Sequence, residues 1–172
     1  MAPAQFAKML SEKTRIKYNG FDFSDAAIQK ASNLLGTNKI FAIGDATKAT
    51  SYPSTYTTIV CTEVLEHLND DLGVIDNWKQ GALCICSVPN YDSVYHTRFF
   101  QTKDEVISRY GRKINILELC TVKKPILTNL SISNYFRELR WNRYKPKRLM
   151  EIMGLGDFNN IGGWFIFIGY KL

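Results

Sequence analysis

The sequence offers no apolar run near the roughly 20 residues needed to cross a bilayer, and among its 172 residues there are only two histidines, His67 and His96. The opening "MAPAQFAKML" has no charged segment followed by an apolar core, so it does not read as a secretory signal. Four cysteines (Cys61, Cys84, Cys86 and Cys120) lack the paired spacing of a zinc site, and three fall inside apolar, strand-like runs. They are expected to be buried thiols in a reducing, cytoplasmic setting. No internal repeat, low-complexity tract or linker divides the chain, which reads as one domain over 1–172.

The composition that is present is globular, 45% hydrophobic with 13% aromatic residues. The net charge of +6 is unevenly placed. Residues 1–97 carry 8 Lys/Arg against 10 Asp/Glu, whereas 98–148 carry 13 against 4. The basic excess belongs to one segment, which can attract an anionic partner or simply form a solvated face.

Hydrophobic spacing gives a coarse order of elements. "AQFAKMLSEK" reads as an amphipathic helix, and "IKYNGFDFS" as a short strand ending at Asp22 and Ser24. Ser24 is placed to cap a helix over "DAAIQKASNLLG". "KIFAIGDAT", "YTTIVCTEV" and "ALCICSVPN" come next as strands, the second leading into the helix "DDLGVIDNWKQ" and the third broken by Pro89. Then come a loop with His96, a helix at "TKDEVISRYG", a strand at "KINILELCTV", two helical pieces around Pro146, and the closing strand "GWFIFIGYKL". Alternating strands and helices with near-continuous apolar strands predict a parallel α/β sheet covered on both faces. Such sheets bind ligands beyond the carboxyl ends of their strands. Asp22, Asp45, Cys61 to Glu63, and Pro89-Asn90 all fall at those ends.

Together these residues resemble the class I S-adenosylmethionine-dependent methyltransferases over nearly the whole chain. "YNGFDFSDAAIQKA" looks like that family's second strand, "IGDAT" its third-strand motif and "VCTEVLEHL" its fourth. "SVPN" and "HTRFF" look like its fifth strand and the loop after that strand. The resemblance implies a Rossmann-like three-layer sandwich, mostly parallel with an antiparallel final strand, and S-adenosylmethionine as cofactor. It implies cofactor contacts from Asp22, beside Phe23, to the ribose hydroxyls, where one carboxylate can accept from both. Asp45 and the Ala46 amide would meet the adenine, and Cys61 and Thr62 would border the methionine end. The family's first strand and glycine-rich turn have no counterpart: "MAPAQFAKML" has Ala2 and Ala4 where glycines are expected.

Glu63, His67 and His96 are the candidate catalytic residues, a histidine serving as general base toward the acceptor. "E-x-x-E-H" would put Glu63 and His67 on one helical face with Glu66 beside them. With a later histidine this is similar to the metal-binding set of small-RNA 3′-end 2′-O-methyltransferases. "YHTRFF" lacks their second nearby histidine, however, and no metal is expected. The bland alternative is a row of polar residues starting a solvated helix. In "YFRELRWNRYKPKR", aromatic and basic residues interleave as in nucleic-acid contacts, or as in an amphipathic helix whose aromatics meet the core. The function expected is methyl transfer to a small molecule or nucleic acid. The alternatives are a methyltransferase-like partner module without catalysis, and a nucleic-acid-binding protein using 98–148. A homo-oligomer is compatible with either; a membrane partner is not expected.

Overall fold

A computed structural model describes residues 8, 9, 12, 17–35, 41–123, 132–153 and 162–172. Of the helix expected over 4–13, Lys8, Met9 and Glu12 are described and helical; the remainder lies outside the described residues. The elements run β1 (Gly20–Asp22), α1 (Asp25–Leu35), β2 (Phe41–Ile43), β3 (Thr58–Thr62), α2 (Asp71–Asp76), β4 (Leu83–Pro89), α3 (Lys103–Tyr110), β5 (Ile114–Lys123), α4 (Ile132–Trp141), α5 (Pro146–Ile152) and β6 (Gly163–Lys171). Among the described residues no helix is long and apolar enough to cross a membrane.

The strands form two sheets. β1 pairs with β2 in parallel, and a second sheet has the order β3-β4-β6-β5. Within it β3 and β4 are parallel, while β6 runs antiparallel between β4 and β5. The antiparallel final strand therefore stands as expected. β3 has no strand on its outer edge among the described residues. The Thr57 carbonyl accepts from the Leu83 amide at 2.9 Å, so the odd-numbered residues of β3 face β4. By alternation, the backbone groups of Thr58, Val60 and Thr62 point to the open edge.

Side chains, not a strand ladder, hold the small sheet to the large one. Phe21 meets the Tyr52 ring edge-on at 5.2 Å, and the Tyr52 hydroxyl donates to the Ala46 carbonyl at 2.8 Å. The Trp78 indole donates in turn to the Tyr52 hydroxyl at 3.2 Å. Gly44 permits the turn after β2, because a methyl there would press on the Phe21 side chain at 3.0 Å.

The main core is built from alternate residues of β4 and β6 with helix side chains on one face. Cys84, Cys86, Val88, Phe165 and Phe167 pack with Leu65, Ile75, Val106 and Tyr110, and the Tyr110 ring stacks on Phe167 at 5.4 Å. Cys61, Cys84 and Cys86 are free and buried as expected; Cys120 is free and exposed.

Asp71 is a charged group fully buried in this layer. Asp71, in the first turn of α2, accepts from Arg109 at 2.6 and 2.9 Å and from the Tyr110 hydroxyl at 2.7 Å, with Arg98 at 3.3 Å. Burial pushes its pKa up, but these hydrogen bonds and the two guanidinium charges outweigh it and hold the carboxyl below its usual range. A depressed folded pKa means the stabilisation is full above the unfolded value of about 3.9 and is lost as pH falls through the folded pKa. Asp71→Asn is therefore expected to cost about 3 kcal/mol in urea unfolding at pH 7. The difference from the parent chain is expected to shrink as the pH is taken below about 4.

Candidate active site

The residues expected to face the cofactor fall at or just beyond the carboxyl ends of β1, β2 and β3. Asp22 closes β1 opposite Ile43, and its Oδ1 accepts from the Ser24 amide at 2.9 Å. Ser24 Oγ accepts from Ala27 at 3.3 Å, the cap expected for α1. Asp45 Oδ1 accepts from the Thr47 hydroxyl at 2.7 Å and the Thr47 amide at 2.9 Å. These two bonds, the hydroxyl's first, lower its pKa. Each aspartate thus spends Oδ1 on fixing its own turn; the Oδ2 of Asp45 lies 3.9 Å from the exposed Lys48 ammonium and keeps further acceptor capacity for a hydroxyl or amino donor. Phe23 is 85% exposed beside Asp22, while Ala46 packs against the main core. Cys61 is buried, and its thiol is pushed up first by burial and then by the Glu66 charge, so it is not a thiolate nucleophile. Thr62 is half-buried at the last rung of β3, opposite Ser87.

Beyond β3 the chain departs from the helical reading. Glu63 has φ 60°, in the left-handed region, and its amide donates to Ser87 Oγ at 3.2 Å. A single 3-10 turn, Leu65–His67, comes next instead of an α-helix. Glu63 and His67 therefore share no helical face, and Glu66 is turned inward to full burial. Among the described residues neither Glu66 side-chain oxygen has a hydrogen-bond partner outside its own residue. Burial raises this carboxyl to about 7, with a further push from Glu63; its own amide and His67 act in the opposite direction. The alternative of solvated helix-start residues fits His67, which is exposed, and fails for Glu66.

The loop after β4 lies over this turn. The Thr97 amide and hydroxyl both donate to the Glu66 carbonyl, at 2.7 and 2.8 Å. The Arg98 guanidinium donates to the carbonyls of Leu65, Leu68 and Asn69, so one side chain ties down three carbonyls of the turn, that of Leu65 in addition to its bond from the Leu68 amide. This brings the two histidines together with ring centroids 5.1 Å apart, and Tyr91 lies 5.5 Å on the other side of His96. His67 Nδ1 is 2.8 Å from the Tyr95 carbonyl and His96 Nδ1 is 3.2 Å from the Tyr91 carbonyl. A carbonyl only accepts, so each Nδ1 carries a proton and the neutral ring keeps its lone pair on Nε2. His67, His96 and Glu66 thus form one cluster, with Glu63 outside it. Sequence reasoning missed the roles of Thr97, Arg98 and Tyr91. The only signal for Arg98 was a cation two residues past His96, before the apolar pair Phe99-Phe100.

The methyltransferase domain family matches residues 3–142. Solved structures align along nearly the whole chain. A chain in the complex of a methyltransferase activator with a putative methyltransferase from Haloferax volcanii has a TM-score of 0.65 at 15% identity, over 98% of this chain and 78% of that one. A putative methyltransferase from Bacillus halodurans C-125 has 0.63 at 13%, over 99% and 88%. An N-methyltransferase from Bradyrhizobium japonicum WM9, solved with S-adenosyl-L-homocysteine, has 0.59 at 15%, over 98% and 74%. No curated protein sequence matches. At such identities the structures speak for the fold, and the family match covers most of the chain. By that match and by its sheet, the chain belongs to the methyltransferase domain family and has the fold of a class I S-adenosylmethionine-dependent methyltransferase.

Proposed function

We propose that the chain transfers a methyl group from S-adenosylmethionine to an acceptor bound at the carboxyl edge of the sheet, beside His67 and His96. The observation that carries this is the placement of Asp22 and Asp45 at the ends of two adjacent parallel strands. S-adenosylmethionine supplies a methyl carbon on a sulfonium, so the acceptor's lone pair forms its bond as the carbon–sulfur bond breaks and a neutral thioether leaves. The protein's part is positioning, together with removal of the acceptor proton. Asp22, next to Phe23, would hold the ribose, Asp45 and the Ala46 amide the adenine, and Cys61 and Thr62 would border the methyl. Nε2 of His67 or His96 is the basic lone pair available for the acceptor proton, and Glu63 lies between β3 and the turn that carries His67. Calorimetric titration with S-adenosylhomocysteine tests this directly. Micromolar binding that Asp22→Ala weakens at least tenfold is the expected result. No binding by a chain with an intact circular dichroism melt would favour a partner module without catalysis.

A nucleic-acid acceptor is favoured by one further observation. On α4 and after it, Phe136, Trp141 and Tyr144 are 63, 81 and 82% exposed, so the reading in which these aromatics meet the core does not hold. The Arg143 guanidinium lies 4.7 Å over the Tyr144 ring, on a strongly basic stretch. Flat rings and cations on one surface suit stacked bases and phosphates. Anisotropy titration of a single-stranded RNA oligonucleotide is expected to show binding that weakens about tenfold or more between 50 and 200 mM salt. Salt-insensitive or absent binding would point to a small-molecule acceptor.

A further inference from the structure

Glu66, His67 and His96 each offer one ligand atom, and these atoms lie within 4.8 Å of one another. From this cluster and the unpartnered, fully buried Glu66 carboxylate, we infer that the three residues form a site for a divalent transition-series cation. This departs from the expectation of no metal, and it does not depend on whether the chain binds S-adenosylmethionine.

Three observations support it. First, both Glu66 oxygens are buried and no side chain or neighbouring amide donates to them. A buried carboxylate ordinarily has a donor or a cation facing it, because burial without one is costly. Second, both histidines make the Nδ1–H to carbonyl bond that metal-bound imidazoles commonly make. Each gives its Nδ1–H to a backbone carbonyl of the 91–98 loop, Tyr95 for His67 and Tyr91 for His96, which leaves Nε2 unprotonated. Third, the three ligands come from two segments fastened to each other by Thr97 and Arg98, so their spacing does not rely on free side chains. The Glu66 and His67 pair sits on a one-turn 3-10 helix, and His96 is delivered across it.

The donor set selects the cation. Two neutral imidazoles and one carboxylate suit Zn²⁺, Co²⁺, Fe²⁺ or Mn²⁺, whereas Mg²⁺ and Ca²⁺ favour all-oxygen sites. Three protein ligands leave at least one position for water or an acceptor oxygen. An ion held by Glu66, His67 and His96 would engage the unprotonated imidazole nitrogens and would itself lower the acceptor's pKa.

The test uses the full chain, stripped with chelator and titrated with CoCl₂ alone, following the visible absorption of bound Co²⁺. Expected is one Co²⁺ per chain at micromolar Kd or tighter, displaced by ZnCl₂ and raising the melting temperature. Glu66→Gln, His67→Ala and His96→Ala are each expected to weaken binding about tenfold or more, while Cys120→Ser leaves it unchanged. Circular dichroism separates a variant that fails to fold from one that fails to bind, and His67→Ala, at the most exposed of the three ligands, is the decisive one. A folded parent chain with no saturable Co²⁺ binding would overturn the inference. So would binding that survives all three ligand substitutions, which would place the ion elsewhere. Titration with S-adenosylhomocysteine on the same sample reads the cofactor pocket separately, so a failure of one proposal is distinguishable from a failure of the other.

Discussion

Much of the site's arrangement depends on Asp71. It is a buried carboxylate at the head of α2, reached by Arg109 and Tyr110 from α3 and by Arg98 from the loop after β4. The same Arg98 guanidinium also holds the carbonyls of Leu65, Leu68 and Asn69. One anion therefore fixes three things at once: the start of α2, the seating of α3, and the fit of the loop on the turn after β3. Removing one partner would leave buried charge without compensation, which costs more than the pair's net contribution. Glu66, His67 and His96 are held together as a consequence of that constraint.

The sheet shows the opposite economy of contact. β1 and β2 carry Asp22 and lead to Asp45, yet among the described residues they pair with each other alone, and Phe21, Tyr52 and Ala46 join them to the main body. Tyr52 is the hinge of this junction. Burial, its largest influence, raises its hydroxyl to about 12, so it stays neutral and can donate to Ala46 while accepting from Trp78. The nucleoside side of the proposed pocket thus rests on side-chain packing, and its acceptor side on a charged, hydrogen-bonded node.

Much of the fold is legible in the sequence because strand and helix periods are clear. "ALCICSVPN" forms β4 ending at Pro89, and "GWFIFIGYKL" forms the antiparallel β6. The site is legible as a location and less so as a geometry. "E-V-L-E-H-L" has helical spacing, but Glu63 takes a left-handed φ and the turn tightens to 3-10, so the expected face does not form. Local spacing carries no information about Ser87 or Thr97, whose bonds to this turn span 24 and 31 residues. The same holds for Asp71, which reads in "DDLGVID" as an ordinary first-turn acid. The exposure of Trp141 and Tyr144 is also hidden, since an interleaved aromatic and basic pattern is the same whether the aromatics face core or solvent.

The 91–98 loop, locked on the turn after β3, sets the ring nitrogens of both histidines, and on this the shared site rests. Long-range proton–nitrogen NMR correlation of the imidazoles, at a pH of about 8 where ordinary histidines are neutral, reads the tautomers directly. The structure predicts Nδ1–H for both His67 and His96, with His67 bonded to Tyr95 and His96 to Tyr91. Nε2–H on either ring, or a rapid average of the two forms, would contradict the lock and with it the shared site.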